Sequence, residues 1–184
     1  MNTPTFSGGR RPWRVAAALL LPFTMAIAQD EPPEPQPAID APLADQSLML
    51  DVIEHNGGYV AVGARGHVLL SGDGREWRQA QNVPVQATLT RVTQFGRRLW
   101  AVGHDAVIIS SSDGGENWFI QNWSPEDQEP LLDVLFLNPN EGFAIGAYGR
   151  FMTTNDGGIN WRTQRLTERV ASEAISSVAR YSAA

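Results

Sequence analysis

Ser111-Ser112-Asp113-Gly114-Gly115-Glu116-Asn117-Trp118 decides the fold, because the chain writes it three times. The other copies are Ser71-Gly72-Asp73-Gly74-Arg75-Glu76-Trp77 and Thr154-Asn155-Asp156-Gly157-Gly158-Ile159-Asn160-Trp161. Asp73, Asp113 and Asp156 stand 40 and 43 residues apart, a period that signals a repeat architecture. The chemistry of the stretch is that of a tight turn. The Asp carboxylate accepts backbone N–H groups, and Gly supplies a positive φ without a Cβ clash. Trp77, Trp118 and Trp161 then restart the chain with a large apolar anchor. Each aspartate is committed to its own turn, so the motif reads as a folding device rather than a catalytic one. The first copy is one residue shorter and has Arg75 where the second Gly would stand, which predicts a looser turn.

Outward from each motif the copies keep matching. Leu48–Ile53, Gly58–Gly63 and His67–Ser71 precede the first. Thr88–Val92, Leu99–Gly103 and Ala106–Ser110 precede the second; Leu131–Phe136, Gly142–Gly146 and Arg150–Thr154 precede the third. Each block is short, rich in β-branched and aromatic residues and bounded by Gly, Asn or Asp, which is a strand signature. Three strands before each aspartate and a fourth beginning at the Trp make four strands per repeat. The predicted fold is all-β: a partial β-propeller of about three four-stranded blades over residues 46–166.

The motif resembles the Asp-box, or BNR repeat. The fuller pattern of the third repeat runs from Leu131-Leu132-Asp133-Val134 through Gly142-Phe143-Ala144-Ile145-Gly146 to Thr154-Asn155-Asp156-Gly157-Gly158 and Trp161. It resembles the Ycf48/Hcf136 family of photosystem II assembly factors. That resemblance covers roughly residues 46–165. It implies a seven-bladed, exported, non-catalytic propeller with an arginine-bearing surface, whose partner is a protein of a membrane complex.

Flanking segments carry different signals. Arg10, Arg11 and Arg14 precede the apolar run Val15–Met25, and Ala26-Ile27-Ala28 follows. A basic start, a short apolar run and an A-x-A site make residues 1–28 a signal peptide, with export to a periplasm or lumen. The run is too short to span a bilayer comfortably. The Arg10-Arg11 pair raises the twin-arginine route, which Pro12-Trp13-Arg14 fits poorly. Residues 29–45 are acidic, contain Pro32, Pro33, Pro35, Pro37 and Pro42, and predict an extended, mobile linker. Beyond Trp161 the pattern stops, and residues 167–184 form an off-pattern tail. Open blade faces are an aggregation liability. The expectation is therefore a truncated copy of a longer protein, or else self-assembly of copies to close the propeller.

Composition removes several classes. There is no cysteine, hence no disulfide, no thiolate site and no lipoprotein anchor. All 14 basic residues are Arg, against 20 acids. Losing the three signal arginines leaves 11 positive and 20 negative charges, which argues against nucleic acid and anionic membranes. No cofactor or metal is implied: His55, His67 and His104 match no ligand spacing. A sialidase-like BNR glycoside hydrolase is the enzyme alternative. It needs a Tyr–Glu pair and an acid/base aspartate. Tyr59, Tyr148, Tyr181 and Glu54, Glu76, Glu116, Glu141 form no evident set, so no catalytic residue is assigned. The turns between second and third strands are Ala64-Arg65-Gly66, His104-Asp105 and Ala147-Tyr148-Gly149 with Arg150. They predict a protein-binding rim of Arg65, His104, Asp105, Tyr148 and Arg150, joined by the connection Trp123–Pro130.

Overall fold

In the computed structural model, residues 33–165 are described. The expected signal peptide and off-pattern tail lie outside them. The described chain forms three four-stranded antiparallel sheets, each a simple meander. Blade 1 holds β1 (Met49–His55), β2 (Gly58–Gly63), β3 (Val68–Ser71) and β4 (Arg78–Gln79). Blade 2 holds β5 (Leu89–Phe95), β6 (Arg98–Gly103), β7 (Ile108–Ser111) and β8 (Phe119–Asn122). Blade 3 holds β9 (Leu131–Phe136), β10 (Gly142–Gly146), β11 (Arg150–Thr154) and β12 (Arg162–Arg165). The architecture is the predicted partial β-propeller.

Alternation along the strands explains how the blades stack, since successive side chains point to opposite faces. Val60, Val62, Val68 and Leu70 leave blade 1 on one side and meet Leu99, Ala101, Ile109 and Trp118 of blade 2. Trp100, Val102 and Ile108 leave the other side of blade 2 and meet Val134, Phe136, Ala144 and Met152 of blade 3. Every blade is thus apolar on both faces, which is why the strands read as near-continuous apolar runs. Trp100 stacks on Phe136 at 3.6 Å between ring centroids, and Trp161 meets Phe136 edge-on at 5.9 Å. Ala61, Ala101 and Ala144 hold the same place in β2, β6 and β10, where a small side chain lets the neighbouring sheet approach.

The inner strands β1, β5 and β9 lie side by side and in register by repeat position. Asp51 Oδ2 accepts the Val92 N–H at 2.9 Å, and the Gln94 amide donates to the Glu54 carbonyl at 3.1 Å. The Thr90 hydroxyl donates to the Leu131 carbonyl at 2.7 Å. Near the start of each inner strand the pairing register shifts. Opposite each shift, β2, β6 and β10 end in Gly63, Gly103 and Gly146. A Cβ there would lie 2.2, 2.0 and 2.4 Å from the carbonyl oxygens of Leu48, Thr88 and Pro130. Those same carbonyls accept the Ala64, His104 and Ala147 N–H groups, each at 2.9 Å.

The segment before β1 departs from the expected mobile linker. The Ala38 N–H donates to the Val83 carbonyl at 2.9 Å, and the Gln86 amide to the Pro37 carbonyl at 3.0 Å. Gln79 brackets the chain, donating to the Ile39 carbonyl and accepting the Ala41 N–H. Ala44 is buried against Ala61 and Leu69, with Ala41, Met49 and Trp77 around it. This segment covers part of the outward face of blade 1.

Candidate protein-binding face

Each turn between the second and third strand of a blade closes the same way. Ala64, His104 and Ala147 carbonyls accept the N–H three residues on, from His67, Val107 and Arg150. Both central residues have positive φ: Arg65 58° and Gly66 70°, Asp105 58° and Ala106 49°, Tyr148 56° and Gly149 75°. These are type I′ turns, whose twist matches that of the flanking strands. The equivalent tip residues are therefore Arg65, Asp105 and Tyr148. Arg65 and Tyr148 are exposed, Tyr148 at 80% of its surface, and Asp105 is half-buried. His104 is exposed one residue earlier. The parallel inner strands bring all three turns to one end of the blades.

Arg150 does not join the rim. It is only 5% exposed, and its guanidinium donates to Asp127 Oδ2 at 2.8 Å and Glu129 Oε2 at 2.9 Å. The reason is strand parity: Arg150 follows the turn at the place that His67 and Val107 hold, and both of those are buried. Aligning the three repeats at that position would have shown an inward side chain. His67 Nδ1 lies 2.8 Å from Ser47 Oγ; burial and then nearby Arg65 lower its pKa, keeping the ring neutral. The connection from Trp123 to Pro130 does reach this end. It is fixed there by the Ser124 N–H on the Asp105 carbonyl at 2.8 Å and the Ala106 N–H on Glu129 at 3.1 Å.

At the opposite end, the Asp-box side chains bind their own turns. Ser71, Ser111 and Thr154 accept the N–H groups of Gly74, Gly115 and Gly158 at 2.8–3.0 Å. Asp156 accepts the Asn160 N–H at 2.9 Å and its amide at 2.8 Å; these two bonds, in that order, hold its pKa down to about 2. Asp113 binds Asn117 identically. Burial works against its charge, yet the Asn117 bonds prevail and its pKa is lowered. Asp73 accepts the Arg75 and Glu76 N–H groups, which lower its pKa. The three anchors differ. Trp77 reaches the Gly74 carbonyl at 3.3 Å and Trp118 the Gly115 carbonyl at 2.8 Å. The buried Trp161 indole N–H has no partner among the described residues, so the anchor bond does not single out the first turn as the looser one. Carboxylates held this firmly as anions are poor general acids. In the groove between the first two boxes, Glu116 is paired with Arg78.

One polar cluster was missed in the sequence. Arg91 of β5 reaches Asp133 at 3.1 Å and Asp51 at 3.4 Å, joining all three inner strands. Aligned repeats place Asp51, Arg91 and Asp133 at one position, a complementary charge pattern that was legible there.

No family model matches the chain. It is similar to a photosystem II assembly lipoprotein Ycf48 of Nostoc sp., 28% identical over 124 residues, covering 63% of this chain and 35% of that protein. It is similar in structure to YCF48 from Cyanidioschyzon merolae, with a TM-score of 0.55 and 29% identity over 66% of this chain and 41% of that one. A structure of YCF48 bound to D1 peptide matches with a TM-score of 0.51 and 24% identity, over 64% and 40% of the two chains. The chain spans at most 35% of the length of the curated relatives it matches.

Proposed function

Taking the chain as a Ycf48-like Asp-box propeller, we propose that it is a non-catalytic scaffold, exported to a periplasm or lumen, that holds a protein partner during assembly of a membrane complex. The observation that carries this reading is the row of type I′ tips, which holds Arg65, His104 and Tyr148 out on one end of a rigid frame. Arg and Tyr anchor protein interfaces more often than most residues do, and rigid presentation lowers the entropy cost of binding. The relatives named as photosystem II assembly proteins, and the solved YCF48 bound to D1 peptide, support a protein ligand and suggest the probe.

The test is binding of a fluorescent D1 peptide to the full chain. Arg65→Ala with Tyr148→Ala should weaken binding by more than about tenfold while the melting curve stays put. Equal binding by the double variant would remove the tips from the interface. A panel of fluorogenic glycosides tests the hydrolase alternative; turnover abolished by Asp→Asn changes would replace the scaffold reading.

A further inference from the structure

Each blade ends in an outer strand that turns one edge away from its sheet, and the three outer strands treat that edge differently. β4 is two residues long and opens with Arg78, and its Gln79 holds the segment before β1 by the Ile39 carbonyl and the Ala41 N–H. β12 opens with Arg162. β8 reads Phe119-Ile120-Gln121-Asn122 and carries no charge. Charge and a covering segment are usual ways of keeping an edge from pairing with another chain, and β8 has neither.

The side chains around β8 are apolar where the preceding joint is ionic. Arg78 and Phe119 each follow the Trp of their box, and Glu116 and Ile159 hold one place in theirs. Between blades 1 and 2 the Arg78 guanidinium donates to Glu116 at 2.9 Å. Between blades 2 and 3 the same two places hold Phe119, 66% exposed, and Ile159, 76% exposed. The third box does rest on β8, since the Gln121 amide donates to the Gly157 carbonyl at 3.2 Å. The pair therefore sits at a joint between two blades already in contact. On the other face of the strand Ile120 adds a further apolar side chain, 36% exposed.

The main chain shows that this edge accepts a partner. The Trp118 N–H donates to the Asn82 carbonyl at 2.9 Å, and the Asn82 N–H donates to the Glu116 carbonyl at 3.1 Å. This parallel bridge lays the connection from blade 1 against the start of the strand. The connection then turns inward at the buried Val83. Beyond that bridge β8 is hydrogen-bonded to β7 alone. Main-chain groups alternate between the two edges of a strand, so the Ile120 N–H and carbonyl point the same way as the Trp118 N–H. No strand among the described residues receives them.

We infer that β8 takes an extended segment of a partner protein as a fifth strand of blade 2, uncharged and with apolar side chains at alternate positions. A bare row of N–H and C=O groups is matched by an extended chain, which continues the ladder that Asn82 begins. Side chains alternate along such a segment, so every second one meets Phe119 and Ile159 and the others lie beside Ile120. The inference rests on reading the chain as a scaffold that holds a protein, and it adds a contact along the outer strand to the one at the tips.

The experiment follows the fluorescence anisotropy of an end-capped, dye-labelled peptide alternating Val and Thr as the full chain is added. The same peptide with Pro at every second place is the control. Ile120→Pro removes the outward donor and blocks the edge, a change that edge strands tolerate. Phe119→Lys places a charge at an exposed position, and circular dichroism verifies that both variants fold. The alternating peptide should bind saturably and the Pro control not at all, and each variant should lose more than about tenfold in affinity. Hydrogen exchange at the Ile120 amide should slow when the peptide is bound. Arg65→Ala with Tyr148→Ala should bind this peptide as the unchanged chain does. The D1 peptide and those tip variants test the scaffold reading separately, so the two failures are told apart. Absence of binding overturns the proposal, as does binding that either folded variant leaves unchanged. A two-chain mass in light scattering that Ile120→Pro reduces to one chain would make the occupant a second copy and overturn it as well.

Discussion

The two ends of the blades are built from turns of opposite temper. At the Asp-box end, Ser, Thr, Asp and Trp side chains fold back onto the turn that bears them, and the third aspartate titrates near 2 as a result. At the other end, backbone alone makes the type I′ turn, and Arg65 and Tyr148 are left pointing outward from left-handed positions. The repeated motif therefore marks construction, and the residues that differ between repeats mark the face proposed above for binding.

The contrast is sharpest at Trp118, which is 3% exposed and packs between blades 1 and 2. Trp118→Ala should destabilise the chain by about 4 kcal/mol in chemical denaturation, the cost of emptying an aromatic site in a core. Arg150 comes next. Arg150→Met leaves Asp127 and Glu129 without their cation, and about 2 kcal/mol should be lost. That is less than the ~3–5 kcal/mol of a fully buried pair, because Asp127 stays half exposed. Binding by the tips should survive it at subdenaturing temperature, separating Arg150 from the surface that sequence reasoning gave it.

Acid titration tests the Asp-box end by itself. A carboxylate whose folded pKa lies below its unfolded value stabilises fully above the unfolded value and loses that stabilisation as pH falls through the folded one. For Asp156 the window runs from the ordinary 3.8 down to about 2. The melting temperature should fall across that window, and Asp156→Asn should flatten the fall. An unchanged slope would mean that the Asn160 bonds do not depend on the charge. The smallest effect belongs to the other end. Tyr148→Gly relieves a left-handed residue but loosens the unfolded chain, so stability should move by no more than about 0.5 kcal/mol. Peptide binding should drop sharply in the same variant.

Much of this was readable before any coordinates. The Asp-box copies and the Gly-bounded apolar runs announced twelve strands in three meanders, because turn chemistry and strand alternation are local properties. Three features escaped. Arg150 looked like a rim residue because side-chain direction after a type I′ turn depends on parity, which a single repeat does not display. Arg91 escaped because its partners, Asp51 and Asp133, lie in the neighbouring repeats, and only aligned repeats put the three at one position. The part of the expected linker from Pro37 to Asp45 looked mobile by composition; what fixes it is its own backbone, bonded to the Val83 carbonyl and to the side-chain amides of Gln79 and Gln86, partners 38–49 residues away in sequence.

Gly63, Gly103 and Gly146 carry a consequence for how this molecule is to be observed. At each of them the tip turn is pressed onto the main chain of an inner strand, too closely for even a methyl group to intervene. Turn and strand move as one stiff piece. A spin label at position 65, 105 or 148 therefore reports the spacing of the central strands rather than the wandering of a loop, and label-to-label distances become a ruler for the curvature of the arc.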